Sequence, residues 1–176
     1  MTIQEIENKI ISEFANFDDW MDKYNYLIEL GKSIPLIDQK YKISNNLISG
    51  CQSKVWLRAE YKEGKIIFTA DSDAVITKGI ANLLIRVLSN HTPAEIIGAD
   101  LEFINVIGLN EHLSPTRSNG LISMIKQMKL YALAFKTKME GELIKSVQHK
   151  LTLTSPRNKT WQAEPNRIIL IDLISN

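Results

Sequence analysis

The apolar residues of the chain fall into runs of two different periods. Ile3, Ile6, Ile10 and Phe14 recur at helical spacing, and Thr2 with Glu5 three positions on forms a capping box ahead of them. A second helix is predicted from Trp20, Tyr24, Leu27 and Ile28, capped by Asp18 or Asp19 and stopped at Gly31 as its C′ residue. Pro35 then breaks helical continuity, and Leu36 to Ser49 reads as an irregular, partly extended stretch. At Val55 the period changes to two: Val55, Leu57, Ala59 and Tyr61 alternate with Trp56, Arg58 and Glu60. Lys62-Glu63-Gly64-Lys65 makes a turn and Ile66 to Ala70 a second strand, so a hairpin is predicted.

Helical spacing resumes with Ile76, Ile80, Leu83, Leu84, Val87 and Leu88. This pattern predicts an amphipathic helix with its N-cap drawn from Asp71-Ser72-Asp73. Thr92-Pro93-Ala94-Glu95 opens a short helix with proline at its first position. Leu101 to Leu109 holds a further short turn or helix. A long helix follows a capping turn at Asn119-Gly120, with Ile122, Ile125, Met128, Leu133 and Phe135 on or near its buried face. Met124 and Met128 read as core filling. Helices on both sides of a small antiparallel sheet make an α+β domain.

The stretch 141–176 has a different character. Leu151-Thr152-Leu153-Thr154 and Arg167 to Ile174 both read as strands, and the second is too apolar for a solvated linker. It must pack somewhere, pair with another chain, which leaves a homodimer open, or be an aggregation liability. The expected division is 1–140 as the main domain and 141–176 as a C-terminal extension.

Composition narrows the class without changing this picture. The chain has 44% hydrophobic and 23% charged residues and a net charge of +1, ordinary for a globular protein. That balance favours neither nucleic acid nor an anionic membrane as partner. The start lacks a basic segment followed by an apolar one, and no run of about 18 apolar residues exists to span a membrane. Together with a single free thiol these features lead to the expectation of a cytoplasmic protein.

That thiol carries the chemistry. Cys51 is the one cysteine of the chain, so no intramolecular disulfide can form. It lies between Gly50 and Gln52-Ser53-Lys54, on a polar loop just before the first strand. A lone cysteine can be a small core residue, but glycine, serine, glutamine and lysine are poor core material, and a cation three positions on favours a reactive thiol. Zinc or iron–sulfur sites need three or four good ligands, and here His91, His112 and His149 are scattered. A cysteine hydrolase or a thiol transferase with its own substrate is the rival reading. It would need His91 or His112 as base with Asp100 or Asn119 behind it. Trp56 is expected to pack in the core.

The run Gly50-Cys51-Gln52-Ser53-Lys54-Val55-Trp56-Leu57 resembles the cysteine loop of the SufE family, the sulfur acceptors of iron–sulfur cluster assembly. Leu113-Ser114-Pro115-Thr116-Arg117-Ser118-Asn119-Gly120-Leu121 is similar to a second motif of that family, in the expected order. The resemblance ends near Met139. It implies a SufE/IscU-like fold and a thiol, Cys51, that takes persulfide sulfur from a SufS-type cysteine desulfurase, stimulates that enzyme and relays the sulfur to a SufB-containing scaffold complex. The protein then has no cofactor of its own, the pyridoxal phosphate belonging to the desulfurase. Gly50, Gln52, Ser53, Lys54 and Arg117 are the expected supporting or partner-contacting residues. Lys54 and Arg117 are the candidate sources of positive charge near the sulfur, though the sequence does not show that either approaches it. Arg117 docks an acidic partner surface, helps position the cysteine loop, or bonds carbonyls or a carboxylate where the chain turns into the last helix. SufE-like proteins can keep this cysteine in a sheltered loop and expose it on docking, but the sequence does not set the resting depth of Cys51.

Overall fold

The structure, a computed structural model, describes residues 1–154. The capping box forms as the sequence predicts. Thr2 Oγ1 accepts from the Glu5 N–H at 3.2 Å, the Glu5 carboxylate accepts from the Thr2 N–H at 2.9 Å, and α1 runs Ile3–Phe14. Asp19 caps α2, Trp20–Lys32. Gly31, read as a stop, lies inside this helix and is buried, because it meets α3, Val75–Leu88. A Cβ at Gly31 would stand 2.9 Å from the Val75 carbonyl, and one at Gly79 only 2.0 Å from the Leu27 carbonyl. The two helices therefore cross backbone to backbone at a pair of glycines.

Between α2 and α3 lies the hairpin, β1 (Val55–Lys62) and β2 (Lys65–Ser72), paired antiparallel with Leu57 opposite Ala70 and Lys62 opposite Lys65. Glu63 and Gly64 both have positive φ (51° and 84°), the combination of a two-residue type I′ turn. Val55, Leu57, Ile66, Phe68 and Ala70 bury one face of the sheet. Neither edge is left bare. The Ala70 N–H donates to the Pro35 carbonyl and the Ala70 carbonyl accepts from Ile37, while the Ile48 N–H donates to the Val55 carbonyl at 2.8 Å. On the β2 edge near the turn, the Ile66 N–H donates to the His91 carbonyl. The stretch read as irregular is thus partly sheet edge, with single-turn 3-10 helices at Gln39–Tyr41 and Ser44–Asn46.

Helix α3 departs from the amphipathic expectation. Thr77, Gly79, Ala81, Asn82 and Ile85 are buried along with the apolar stripe, so the helix is central and covered on nearly all sides. None of the three polar residues before it caps it by side chain. Ala74 is its N-cap, without a side-chain bond. Asp71 instead pairs with Lys78 at 2.8 Å and with Lys42 while buried itself, and Asp73 binds the cysteine loop. After α3 come α4 (Pro93–Gly98), opened by a second capping box at Thr92 and Glu95, then two four-residue helices, α5 (Phe103–Val106) and α6 (Leu109–His112).

The last described helix, α7, spans Pro115–Thr154. It starts before Asn119-Gly120, which sit inside its second turn and form no cap. Among the described residues its buried apolar side chains are Leu121, Met124, Met128 and Ala132, while Ile122 and Leu133, expected inside, are exposed. Leu151–Thr154 also belongs to this helix and not to a strand. Extending an existing helix gains one hydrogen bond per residue fixed, which outweighs the few tenths of a kcal/mol that threonine loses there. The predicted strand Arg167 to Ile174 lies outside the described residues. By its contacts the chain forms one compact unit over Met1–Glu140 and a second from Gly141 onward. Among the described residues no helix is long and apolar enough to cross a membrane.

Candidate functional site

Two anchors hold the loop that carries Cys51. Gly50 has φ of +86°, a left-handed conformation that side chains rarely adopt, and a Cβ there would stand 3.1 Å from Ser123 Oγ. Three residues past the cysteine, the Lys54 N–H donates to Asp73 Oδ1 at 3.0 Å and the Lys54 carbonyl accepts from the Asp73 N–H. The chain turns inward between these points. Cys51 is half-buried and packs against the core, and its Sγ lies 3.8 Å from the Gly120 carbonyl on α7. A Cβ at Gly120 would sit 3.5 Å from the same sulfur, an ordinary van der Waals distance, so this face of α7 packs directly against the thiol.

A cavity of about 280 Å³ opens beside the thiol, walled by Gln52 and Ser53 from the loop, Thr77 and Ile80 from α3, and Thr116, Arg117 and Met124 from α7. Among the described residues, Cys51 and Arg117 are its only titratable side chains. Arg117 is exposed in the first turn of α7, with its guanidinium 5.8 Å from the Tyr24 ring centroid. Lys54 is exposed and does not line the cavity. Burial pushes the Cys51 thiol up. Desolvation alone sets the direction of the shift, and neither candidate cation offsets it. Lys54 acts on the loop through its backbone, and Arg117 shares the cavity without holding the sulfur as thiolate.

A test follows from this sign. Desolvation disfavours the charged form, so the iodoacetamide reaction of Cys51 should rise with pH at a midpoint above that of the same thiol in urea-unfolded chain. A native midpoint at or below the unfolded one would mean that a positive charge does reach the sulfur.

The hydrolase constellation does not assemble. His91 is buried at the far end of the hairpin, beside Ile66 near the turn, and burial lowers its pKa. His112 stacks on Trp20, ring centroids 4.2 Å apart, with its Nδ1 2.9 Å from the Gly108 carbonyl. Asp100 lines a different cavity, and Asn119 is exposed on α7 without lining this one. Among the described residues no set of three His, Cys, Asp or Glu is placed to hold a metal ion. Trp56, expected in the core, points to the outer face of the hairpin with Lys42 Nζ 5.8 Å from its ring. Thr77, Asp73 and Ser123 shape the site but carry no local signal, since each is ordinary in its own segment. Thr116 and Gly120 belong to the Leu113–Leu121 motif, without their contact with the site being legible there.

Fold and site together define an α+β protein with a single sheltered thiol in a small, hydroxyl-lined cavity. Residues 8–132 match the family model described as "SufE: Fe-S metabolism associated domain". The chain belongs to the SufE family, and so to iron–sulfur metabolism. It is 37% identical over 144 residues to "SufE-like protein 1, chloroplastic/mitochondrial" of Arabidopsis thaliana, covering 80% of this chain and 39% of the plant protein. An uncharacterized SufE-like protein of Rhizobium meliloti (strain 1021) is 39% identical over 127 residues, 69% of this chain and 91% of that one. The solution structure of a hypothetical protein from Thermus thermophilus has a similar fold, with a TM-score of 0.63 and 19% identity over 75% of this chain and 96% of that one.

Proposed function

We propose that the protein is a sulfur carrier: Cys51 accepts sulfane sulfur from a SufS-type cysteine desulfurase and relays it to a SufB-containing scaffold complex. In the first transfer the Cys51 thiolate attacks the terminal sulfur of the desulfurase persulfide. The S–S bond of the donor breaks, the donor cysteine leaves as thiolate, and Cys51 becomes the persulfide with no net oxidation. Removing the donor's persulfide frees the desulfurase for another turnover, which is how the carrier stimulates it. One protein is loaded per sulfur, so the role is that of a carrier and not of an enzyme. Pyridoxal phosphate works in the desulfurase.

The observation that carries this reading is the pairing of the chain's one cysteine with a cavity whose described lining has hydroxyls and a glycine wall but no base. A persulfide is one atom longer than a thiol, and about 280 Å³ accommodates it. With no second cysteine in the chain, the bound sulfur cannot be expelled by an intramolecular disulfide. Such a carrier works in a reducing compartment such as the cytoplasm. Attack on a partner's persulfide needs the sulfur outside the cavity. Delivering it requires the residue to swing outward between the Gly50 and Lys54 anchors, at the expense of a long thiol contact to Gly120 and its packing against the core.

Arg117 supplies the exposed charge at the mouth of this cavity. We expect Arg117→Ala to slow sulfur transfer from the desulfurase by up to about an order of magnitude, the scale on which rim charges change association rates. Iodoacetamide should still modify Cys51 at the parent rate. Unchanged transfer kinetics across a salt series would leave Arg117 a structural residue of the helix start.

A further inference from the structure

We propose that a second cavity, between α1 and the α4–α5 segment, binds an organic cation: an ammonium or guanidinium group carried on an apolar stem. This cavity measures about 700 Å³ and shares no residue with the one at Cys51. Its size suits a small molecule or a protruding side chain. Three carboxylate residues, Glu7 from α1 with Asp100 and Glu102 from the far side, line it, and among the described residues no lysine, arginine or histidine does. The fourth acidic residue, Glu95, is engaged by the Thr92 cap. Lys129 is nearby but donates to the Ala99 carbonyl at 2.6 Å and is not part of the lining.

Glu7 makes the cavity more than an acidic patch. The residue is only 5% exposed, and its Oε1 has no hydrogen-bond partner among the described residues. Buried polar atoms almost always have partners, and an orphan points to a missing group. Burial first, and then the charges of Glu102 and Asp100, push the Glu7 carboxyl up. Oε1 is shielded from solvent in this structure, so a cation seated here relieves the repulsion among the three carboxylates and becomes the absent partner when the Glu7 carboxylate turns toward it. The acidic groups are not arranged to coordinate a metal ion, and Ile3, Phe103 and Val106 form an apolar wall beside them. Charge on one side and hydrocarbon on the other fit an ammonium or guanidinium on a stem of several carbons.

Two sources share that chemistry, a free amine and a lysine or arginine side chain of a partner protein. The test is a nitrogen-15 NMR titration of the full chain with n-butylamine, n-butylguanidine and an end-blocked arginine tripeptide, with n-butanol as the neutral control. The proposal expects saturable shifts at the amides of Ile3, Ile11 and Phe103 with the cations and none with butanol. Glu7→Gln should weaken binding at least tenfold. Glu102→Gln, at an exposed position whose change leaves the fold intact, should weaken it several-fold. Tighter binding of the tripeptide than of the free cations identifies a protein side chain as the occupant, and the reverse identifies a small molecule. Absence of saturable shifts at millimolar cation, or equal binding by parent and both variants, overturns the proposal.

Discussion

Cys51→Ser should abolish both sulfur acceptance and stimulation of the desulfurase while leaving the fold in place. Serine replaces sulfur by a smaller oxygen at a half-buried position, and its shorter side chain gives up the long contact that the thiol makes with the Gly120 carbonyl at 3.8 Å. The contact given up is weak and the serine hydroxyl faces a cavity lined by other hydroxyls, so the stability change stays at about 1 kcal/mol. The chemical change is absolute by comparison, because a hydroxyl cannot hold sulfane sulfur under these conditions and no second cysteine is present to substitute. Parent and variant should therefore share a melting temperature within a few degrees and differ wholly in desulfurase turnover with free cysteine. A variant that still stimulates the desulfurase would show that docking alone activates the partner.

The largest effect on stability is expected from Gly79→Ala. The added methyl would stand 2.0 Å from the Leu27 carbonyl oxygen and 2.7 Å from its carbon, and both belong to the backbone of α2. Helix backbone cannot swing aside as a side-chain end can, so α2 and α3 must separate along a contact that builds the core. Overpacking of this kind costs typically about 1–3 kcal/mol, and a backbone clash lies at the upper end or beyond. Alanine's better helix propensity offsets about 1 kcal/mol of that. Gly98→Ala is the matched control, since nothing lies within 4 Å of a Cβ there. Urea unfolding should show Gly79→Ala destabilised by about 2 kcal/mol or more, the net of those two effects, and Gly98→Ala near the parent. Equal stabilities for the two variants would mean that the helices do not cross at these glycines.

The glycine crossing also illustrates what local pattern can and cannot reveal. Short-range chemistry is legible in the sequence: the Thr2 and Thr92 capping boxes, the Glu63-Gly64 turn and the period-two alternation of β1 each depend on neighbours within a few residues. Gly31 and Asn119-Gly120 look like punctuation because their roles depend on partners far along the chain, Gly31 on α3 and Gly120 on a sulfur 69 residues away. Asp71 and Asp73 look like caps for the same reason, when each is drawn away by a cation or a loop amide from another segment. Of the site, the position of Cys51 just before the hairpin is visible in the sequence. The inward turn of its side chain is not, because a loop of Ser49, Gly50, Gln52 and Ser53 looks solvated until α3 and α7 close over it. That closure raises the thiol's pKa, opposite to the sign suggested by the nearby Lys54.

The claim that this chain carries sulfur on Cys51 is tested most directly by mass spectrometry. The 176-residue chain is incubated with a SufS-type desulfurase and free cysteine, then digested without reductant. The peptide bearing Cys51 should gain the mass of one sulfur atom, and treatment with a thiol reductant should remove it. If the desulfurase turns over in the mixture and the Cys51 peptide gains nothing, the protein is not a sulfur acceptor.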